Sequence, residues 1–461
     1  MNKETPFITP DGKRITRRDA LRLGLLGAAG LAFAPGLLGK SLLWGAEPTP
    51  VATAIPSLVA GKAKAVIQVW LWGGPCHIDT FDPKPDAGYD YCGPFKTPLA
   101  TNVPGIWINE KLTMLAKIAD KYSLIRSMTH GNFGHETAAY LTQTGRQPGD
   151  GIVYPCVGAV TAQFKAFDVG YKGLIPPYIV LTQPQGRFSE AGFLGSKCKP
   201  FATGGDPAAG RFAVEGVVSS NITDFRQQNR REYLHQLNTL DKAVPGNAQL
   251  AAASACEKTA YDLILGDAGK VFDLSQEKNE VRDQYGRNTF GQSCLAARRL
   301  VEKGAVYVTI NYGGWDTHKQ HFQAMQRKLP ELDRGLATLL QDLSDRGMLD
   351  STIVWCCGEF GRTPKVDWEP PWQGGRGHYG TVFSCLVAGG GFKGGHIVGE
   401  SDARGEKVKE RPVYPGDLLG SMYELMGLDP NAKLPHPQGQ DIRLTDSSPT
   451  AKTGGRLKEI M

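Results

Sequence analysis

Short apolar runs recur along the chain at Val66–Trp72, Tyr122–Ser127, Tyr178–Leu181, Val306–Ile310, Thr352–Cys356 and Val382–Val387. Such short apolar runs predict buried strands. A different period lies between them. Phe290, Cys294, Ala297 and Val301 step by 4, 3 and 4. Leu329, Leu332, Leu336, Leu339 and Leu343 step by 3, 4, 3 and 4, with Pro330 placed as a first-turn residue. Such spacing predicts amphipathic helices, and Arg226–Leu240 and Ala251–Leu265 also read as helical. Strands alternating with helices predict an α/β fold, a central, mostly parallel sheet with helices on both faces. Val66–Trp72 is expected near its middle. Ligands in such sheets sit beyond the carboxyl ends of the strands, so the loops there carry the chemistry. Residues 183–225, rich in Gly, Pro and polar residues, read as a loop-rich insertion in one domain.

Composition and charge narrow the class. Gly is high at 57 of 461 residues, without a G-x-y period, which excludes collagen and implies shaped loops. The net charge is +6, but residues 1–46 carry seven Lys/Arg against three Asp/Glu. The remaining chain is close to neutral, so no nucleic-acid footprint exists. Nine irregularly spaced Cys do not form a disulfide framework, and most are expected in the core.

The basic excess belongs to a leader. T-R-R-D-A-L-R runs from Thr16 to Arg22, followed by an uncharged Leu/Ala/Gly-rich stretch from Leu23 to Gly39. This layout is that of an export signal, and Arg17–Arg18 matches the twin-arginine type. Five Gly and Pro35 make the stretch a poor spanning helix, so no stable membrane span is expected. Residues 1–46 are read as the signal segment, with cleavage after Ala46 or Ala54, and 47–61 as a linker. The twin-arginine export machinery is then a partner, and the location periplasmic or otherwise exported.

Five loops carry candidate chemistry. W-G-G-P-C-H-I-D-T-F-D-P-K-P (Trp72–Pro85) places His77, Asp79 and Asp82 just past a strand. Imidazole and carboxylate suit a metal, and turn chemistry explains the same residues. Ser127–Pro148 sets His130, His135, Glu136 and Thr137 at a strand-to-helix junction, with Thr137 open as an N-cap. N-Y-G-G-W-D-T-H-K-Q-H-F (Asn311–Phe322) offers Asp316, His318 and His321, the composition of a divalent-metal site. C-C-G-E-F-G-R-T-P-K (Cys356–Lys365) adds Glu359, with Arg362 and Lys365 able to meet an anion. G-R-G-H-Y-G (Gly375–Gly380) contributes His378. Gly389, Gly391 and Gly394 satisfy G-x-G-x-x-G, but no helix pattern follows and they read as a turn.

In this order the loops resemble the alkaline phosphatase and sulfatase superfamily. T-G-R-Q-P at Thr144–Pro148 is similar to the T-G-R-Y-P after the sulfatase nucleophile helix. G-E-F-G at Gly358–Gly361 stands where the superfamily has S-D-N-G or S-D-H-G. H-Y-G-T-V-F at His378–Phe383 resembles a late metal-binding His and its strand. Tyr414–Pro430 is like the sulfatase carboxy-terminal helix. The leader, W-G-G-P-x-H-I-D-T-F-D-P-K-P, G-W-D-T-H and G-E-F-G-R-T-P together resemble an exported sulfatase-like family classed as domain of unknown function 1501. The resemblance implies a sulfatase-like α/β domain over 62–445 and a tail over 446–461.

It also implies roles, with departures. The superfamily has metal-binding Asp residues at the end of its first strand, where this chain has Gly73 and Gly74, so that only His77, Asp79 or Asp82 could serve in that loop. The nucleophile position falls on His135, with Thr137 as the alternative. No C-x-P-x-R occurs, which argues against formylglycine chemistry. Glu359 replaces an Asp and Phe360 an Asn or His. Asp316 and His378 match as metal ligands, with His318 or His321 as the remaining one; Asp316, His321 and His378 are expected to form the main site and Asp79 and Glu359 a second, weaker one. Arg362 would steady the anionic group. The implied activity is metal-dependent hydrolysis or transfer of phosphate or sulfate esters, for instance on a carbohydrate, with one or two divalent ions (Zn, Ca, Mg or Mn). The alternative is a catalytically silent sulfatase-like binding or assembly module.

Overall fold

The computed structural model describes residues 7–8, 14–15, 61–149, 151–184, 190–214, 224–237 and 267–461. Arg17, Arg18, the apolar leader, both cleavage positions and the helix expected over Ala251–Leu265 lie outside them. Two compact units divide at Ala54. In the first, Phe7–Ile8 pairs antiparallel with Arg14–Ile15.

The second unit is built on an eight-stranded sheet. Its strands are β1 (Ala65–Trp70), β2 (Tyr122–Met128), β3 (Tyr178–Leu181), β4 (Phe201–Ala202), β5 (Tyr307–Asn311), β6 (Thr352–Cys357), β7 (Phe383–Ala388) and β8 (Ile397–Val398). The spatial order is β8-β2-β7-β6-β1-β5-β3-β4, with β1 inside as expected. Every pairing is parallel except those of β7, which runs antiparallel to β2 and β6. The short edge strands β4 and β8 carry no alternation long enough to show in the sequence.

Alternation along each strand sorts the core into two layers. Ile67, Val69, Val308, Ile310, Val354 and Leu386 face one layer, packed by α3 (Thr289–Glu302) and α4 (His321–Asp345). Val66, Trp70, Tyr307, Ile353, Trp355 and Val387 face the other, packed by α1 (His135–Thr144), α2 (Val157–Ala162) and α5 (Pro415–Leu425). Leu329, Leu332, Leu336, Leu339 and Leu343 are all buried, each burial worth roughly 1.5–3 kcal/mol. Their helix begins at His321, well before Pro330, which lies inside it instead of in its first turn. Pro330 is exposed, so the carbonyl it leaves without an N–H partner is open to water.

Residues 446–461, expected as a tail, pack on the domain: Leu457 and Ile460 are buried, and the Leu457 N–H donates to Ser421 Oγ. Gly389 to Phe392 forms a tight bridge, in keeping with a turn. The eight described cysteines are free and buried. Among the described residues no helix is long and apolar enough to cross a membrane.

The register places Trp70, Asn311 and Cys357 side by side at the ends of β1, β5 and β6. Because β7 runs the other way, its start lies at this same edge. The loops after β1, β2, β5 and β6 and the loop before β7 therefore open together.

Candidate functional site

Asp316, His318, His135, His378, Glu359 and Arg362 meet at that edge. His135 is the first residue of α1, whose N-cap is Gly134. Its Nε2 lies 3.3 Å from Asp316 Oδ2 and its Nδ1 2.5 Å from Glu359 Oε1. His318 Nε2 is 3.0 Å, and His378 Nε2 3.2 Å, from Asp316 Oδ1. The His318 and His378 Nε2 atoms are 2.9 Å apart. Asp316 keeps 43% of its side chain exposed, so the cluster is open from one side.

The surroundings set the tautomers. His378 Nδ1 donates to the Phe133 carbonyl at 2.7 Å, which leaves its Nε2 lone pair facing Asp316. Glu359 is wholly buried and accepts the Gly73 N–H through both carboxylate oxygens, at 3.0 and 3.2 Å. It thus faces His135 Nδ1 as a fixed acceptor. His130 lies behind it, donating from Nε2 to the Glu359 carbonyl at 2.7 Å and accepting the Asn132 N–H at Nδ1. Trp72 stacks on the His135 ring, with centroids 5.9 Å apart, and Phe360 meets it at a tilt, with centroids 5.0 Å apart.

Electrostatics follow from these contacts. The hydrogen bond to Glu359, reinforced by the charges of Glu359 and Asp316, outweighs burial and lifts the His135 pKa above the ordinary imidazole value. Burial works to raise Asp316, but the Arg362 guanidinium and the neighbouring imidazoles hold it below the usual carboxylate range. Burial lowers His318, with the Arg362 charge adding to the effect.

His135, Asp316 and His378 each offer a ligand atom, all within 4.8 Å of one another. Four ligands at about 2.0–2.1 Å around a tetrahedral ion stand roughly 3.3 Å apart. The separations of 2.9–3.2 Å among Asp316 Oδ1, His318 Nε2 and His378 Nε2 are of that size, while His135 Nε2 lies 3.3 Å from the other carboxylate oxygen, Oδ2. Nitrogen and carboxylate donors with preset tautomers therefore fit a divalent cation.

Other residues singled out in the sequence lie elsewhere. Asp79 and His321 are buried together, His321 Nε2 at 2.8 Å from Asp79 Oδ2 and the Arg376 Nε at 2.7 Å from the same oxygen. Burial opposes the Asp79 charge, but Arg376 and His321 prevail and keep its pKa below the ordinary value. Buried in this ion pair, neither side chain joins the Asp316 cluster. His77 bonds the Gly405 carbonyl, and Asp82 takes Ser401 and pairs with Lys84 and Arg126. Thr137 is exposed, and its hydroxyl bonds Gly134 and Asn132, not the cluster.

Arg362 is fully buried and directed inward. Its Nε donates to the Gly73 carbonyl at 2.9 Å, and its terminal nitrogens meet Asp316 and the Arg376 carbonyl. It neutralises Asp316 and has no free face for a substrate anion. Gly73 explains the missing first-strand carboxylate. A Cβ there would stand 2.2 Å from the Asp316 backbone nitrogen, and its φ is +109°. The Asp316 loop occupies the place a side chain would need. Arg376, between two glycines in G-R-G-H, was not legible as a functional residue; an arginine set in a segment too tightly packed for side chains was its one signal.

This is an α/β protein whose strand-end loops assemble a His/Asp cluster. The chain belongs to the family described as "Protein of unknown function (DUF1501)", whose family model matches residues 63–453. No curated protein matches the sequence. Similar solved structures include the lipoteichoic acid synthase LtaP from Listeria monocytogenes, at 8% identity and TM-score 0.38, covering 84% of this chain and 75% of that one. Another is Ps i-CgsB in complex with k-i-k-neocarrahexaose, at 10% identity and TM-score 0.39, covering 82% and 74%. A third is the C-terminal periplasmic domain of EcEptC from Escherichia coli, in complex with Zn, at 9% identity and TM-score 0.36, covering 84% and 90%.

Proposed function

We propose that the protein is an exported, metal-dependent hydrolase or transferase of phosphate or sulfate esters. The observation that carries this reading is the convergence of His135, Asp316 and His378, from three separate loops, within ligand distance of one another. His318 stands beside Asp316 and His378, 3.0 and 2.9 Å from their facing atoms. A bound divalent ion would polarise an ester oxygen and stabilise the leaving group. Asp316, His378 and His318 would hold it through Oδ1 and the Nε2 atoms. Glu359 and the Phe133 carbonyl orient His135 and His378 through their Nδ1 positions. His135, set between two carboxylates and partly open to solvent, is placed to donate or accept a proton at Nε2, or to act as a ligand there. Arg362 keeps Asp316 ionised without reaching the substrate.

A second reading, a silent binding or assembly module, is favoured by Thr137. The hydroxyl expected as alternative nucleophile bonds its own loop instead of the cluster. A panel of aryl phosphate and aryl sulfate esters separates the two. The enzymatic reading expects turnover of at least one class, abolished by chelator and restored by added divalent metal. No turnover of either class with a metal-loaded protein would favour the binding module.

A further inference from the structure

A buried charged trio ties together three of the segments at this edge. Asp79 comes from the loop after β1, His321 opens α4, and Arg376 lies two residues before His378. Arg376 is fully buried and pairs with both Asp79 oxygens, Nε to Oδ2 at 2.7 Å and a terminal nitrogen to Oδ1 at 3.2 Å. Its remaining donors bond the Thr363, Pro364 and Tyr91 carbonyls. His321 Nε2 meets Asp79 at 2.8 Å, and its Nδ1 meets Thr317 Oγ1 at 2.6 Å. Thr317 sits directly between Asp316 and His318, and its carbonyl accepts the Arg376 backbone N–H. Close packing reinforces the tie: a Cβ on Gly375 would fall 1.8 Å from the His318 carbonyl oxygen.

The chain of contacts Arg376–Asp79–His321–Thr317 therefore clamps the Asp316–His318 segment against the segment leading to His378. Buried charges are costly unless paired and hydrogen-bonded, and every member here is paired. Resting on the metal reading above, we infer that the Asp79–Arg376–His321 trio is a positioning device that fixes the spacing of Asp316, His318 and His378 without touching the ion. Asp79 and His321 thus act one layer beneath the site.

The test uses the full chain and Co²⁺ as the probe, read by titration and by the visible d–d spectrum, which reports coordination geometry. Asp79→Asn removes the charge and keeps the shape. Thr317→Val removes only the hydroxyl that holds His321. Asp82→Asn, in the same loop but bonded to Ser401, Lys84 and Arg126, serves as control. Asp79→Asn and Thr317→Val are expected to weaken Co²⁺ binding about 10- to 100-fold, with an altered spectrum, in chains that remain folded. The control should keep wild-type affinity and spectrum. Should Asp79→Asn fail to fold, Thr317→Val decides. Folded variants with wild-type affinity and spectrum would overturn the inference alone, as would a control that changes equally. A wild type that takes up no Co²⁺ would instead remove the metal reading and this inference with it.

Discussion

His130 sits beneath the cluster with both ring nitrogens committed, one to the Glu359 carbonyl and one to the Asn132 N–H. Burial lowers its pKa from 6.5 to about 4, so the folded protein keeps it neutral. The unfolded chain protonates near 6.5. Between those values the unfolded state binds the extra proton, so stability is full above about pH 6.5 and falls as the pH drops towards 4. The span corresponds to about 3 kcal/mol. His130→Gln can donate and accept in the same directions but does not titrate. Denaturant melts in chelator between pH 4 and 7 should show a shallower acid limb in the variant than in the wild type. Equal slopes would mean that His130 does not carry this dependence. At this scale the sequence showed which residue types gather in the loops, and Asp316, His378 and His135 were legible. It did not show partners. Asp79 and His321 have ligand chemistry in isolation, and only tertiary packing commits them to Arg376. Arg362 likewise reads as an anion binder until the Gly73 and Arg376 carbonyls take its donors.

Periodicity carried the helices and strands well where it was long. The Leu stripe of α4 is buried throughout, and Leu336 lies fully within the layer it shares with α3. Leu336→Ala should cost about 2–5 kcal/mol, read as a lowered denaturant midpoint, whereas a change below about 1 kcal/mol would place the stripe at a site that collapses freely. Boundaries were less legible. Proline favours first turns, so Pro330 reads as a helix start, yet the buried positions His321, Phe322 and Met325 extend the covered face towards the amino end. Side-chain alternation is the same for parallel and antiparallel strands, so the reversed direction of β7 follows only from expecting the loop before Val382 to share an edge with the loops after the other strands. That direction is what brings His378 to the site. Gly73 and Gly74 were visible as turn residues, but the need for Gly73 arises from a segment more than two hundred residues away.

At the scale of the whole molecule, the proposal of export rests on residues 16–39 of the sequence. Replacing Arg17 and Arg18 together by Lys keeps the charge and loses the guanidinium pair. The variant should accumulate in the cytoplasm, as cell fractionation would show; normal export would refute the twin-arginine reading. On the metal reading, folding and the site are coupled as well. An ion bound only by the folded chain adds to its stability, so chelation should lower the melting temperature. The strand-to-site logic of the domain was legible because an α/β sheet gathers its strand-end loops at one edge. The proposed metal chemistry was not, since it depends on separations of a few ångströms between loops distant in sequence.

The metal content of purified, divalent-ion-loaded protein tests the central claim most directly. Elemental analysis after removal of free ion should find about one ion per wild-type chain at the Asp316 cluster. Asp316→Ala and His378→Ala should each fall towards background, and the double variant should lose little beyond the worse single one, because both side chains serve the same ion. A wild type that carries no metal, takes up none and melts identically with and without chelator would contradict the account and leave the binding module in its place.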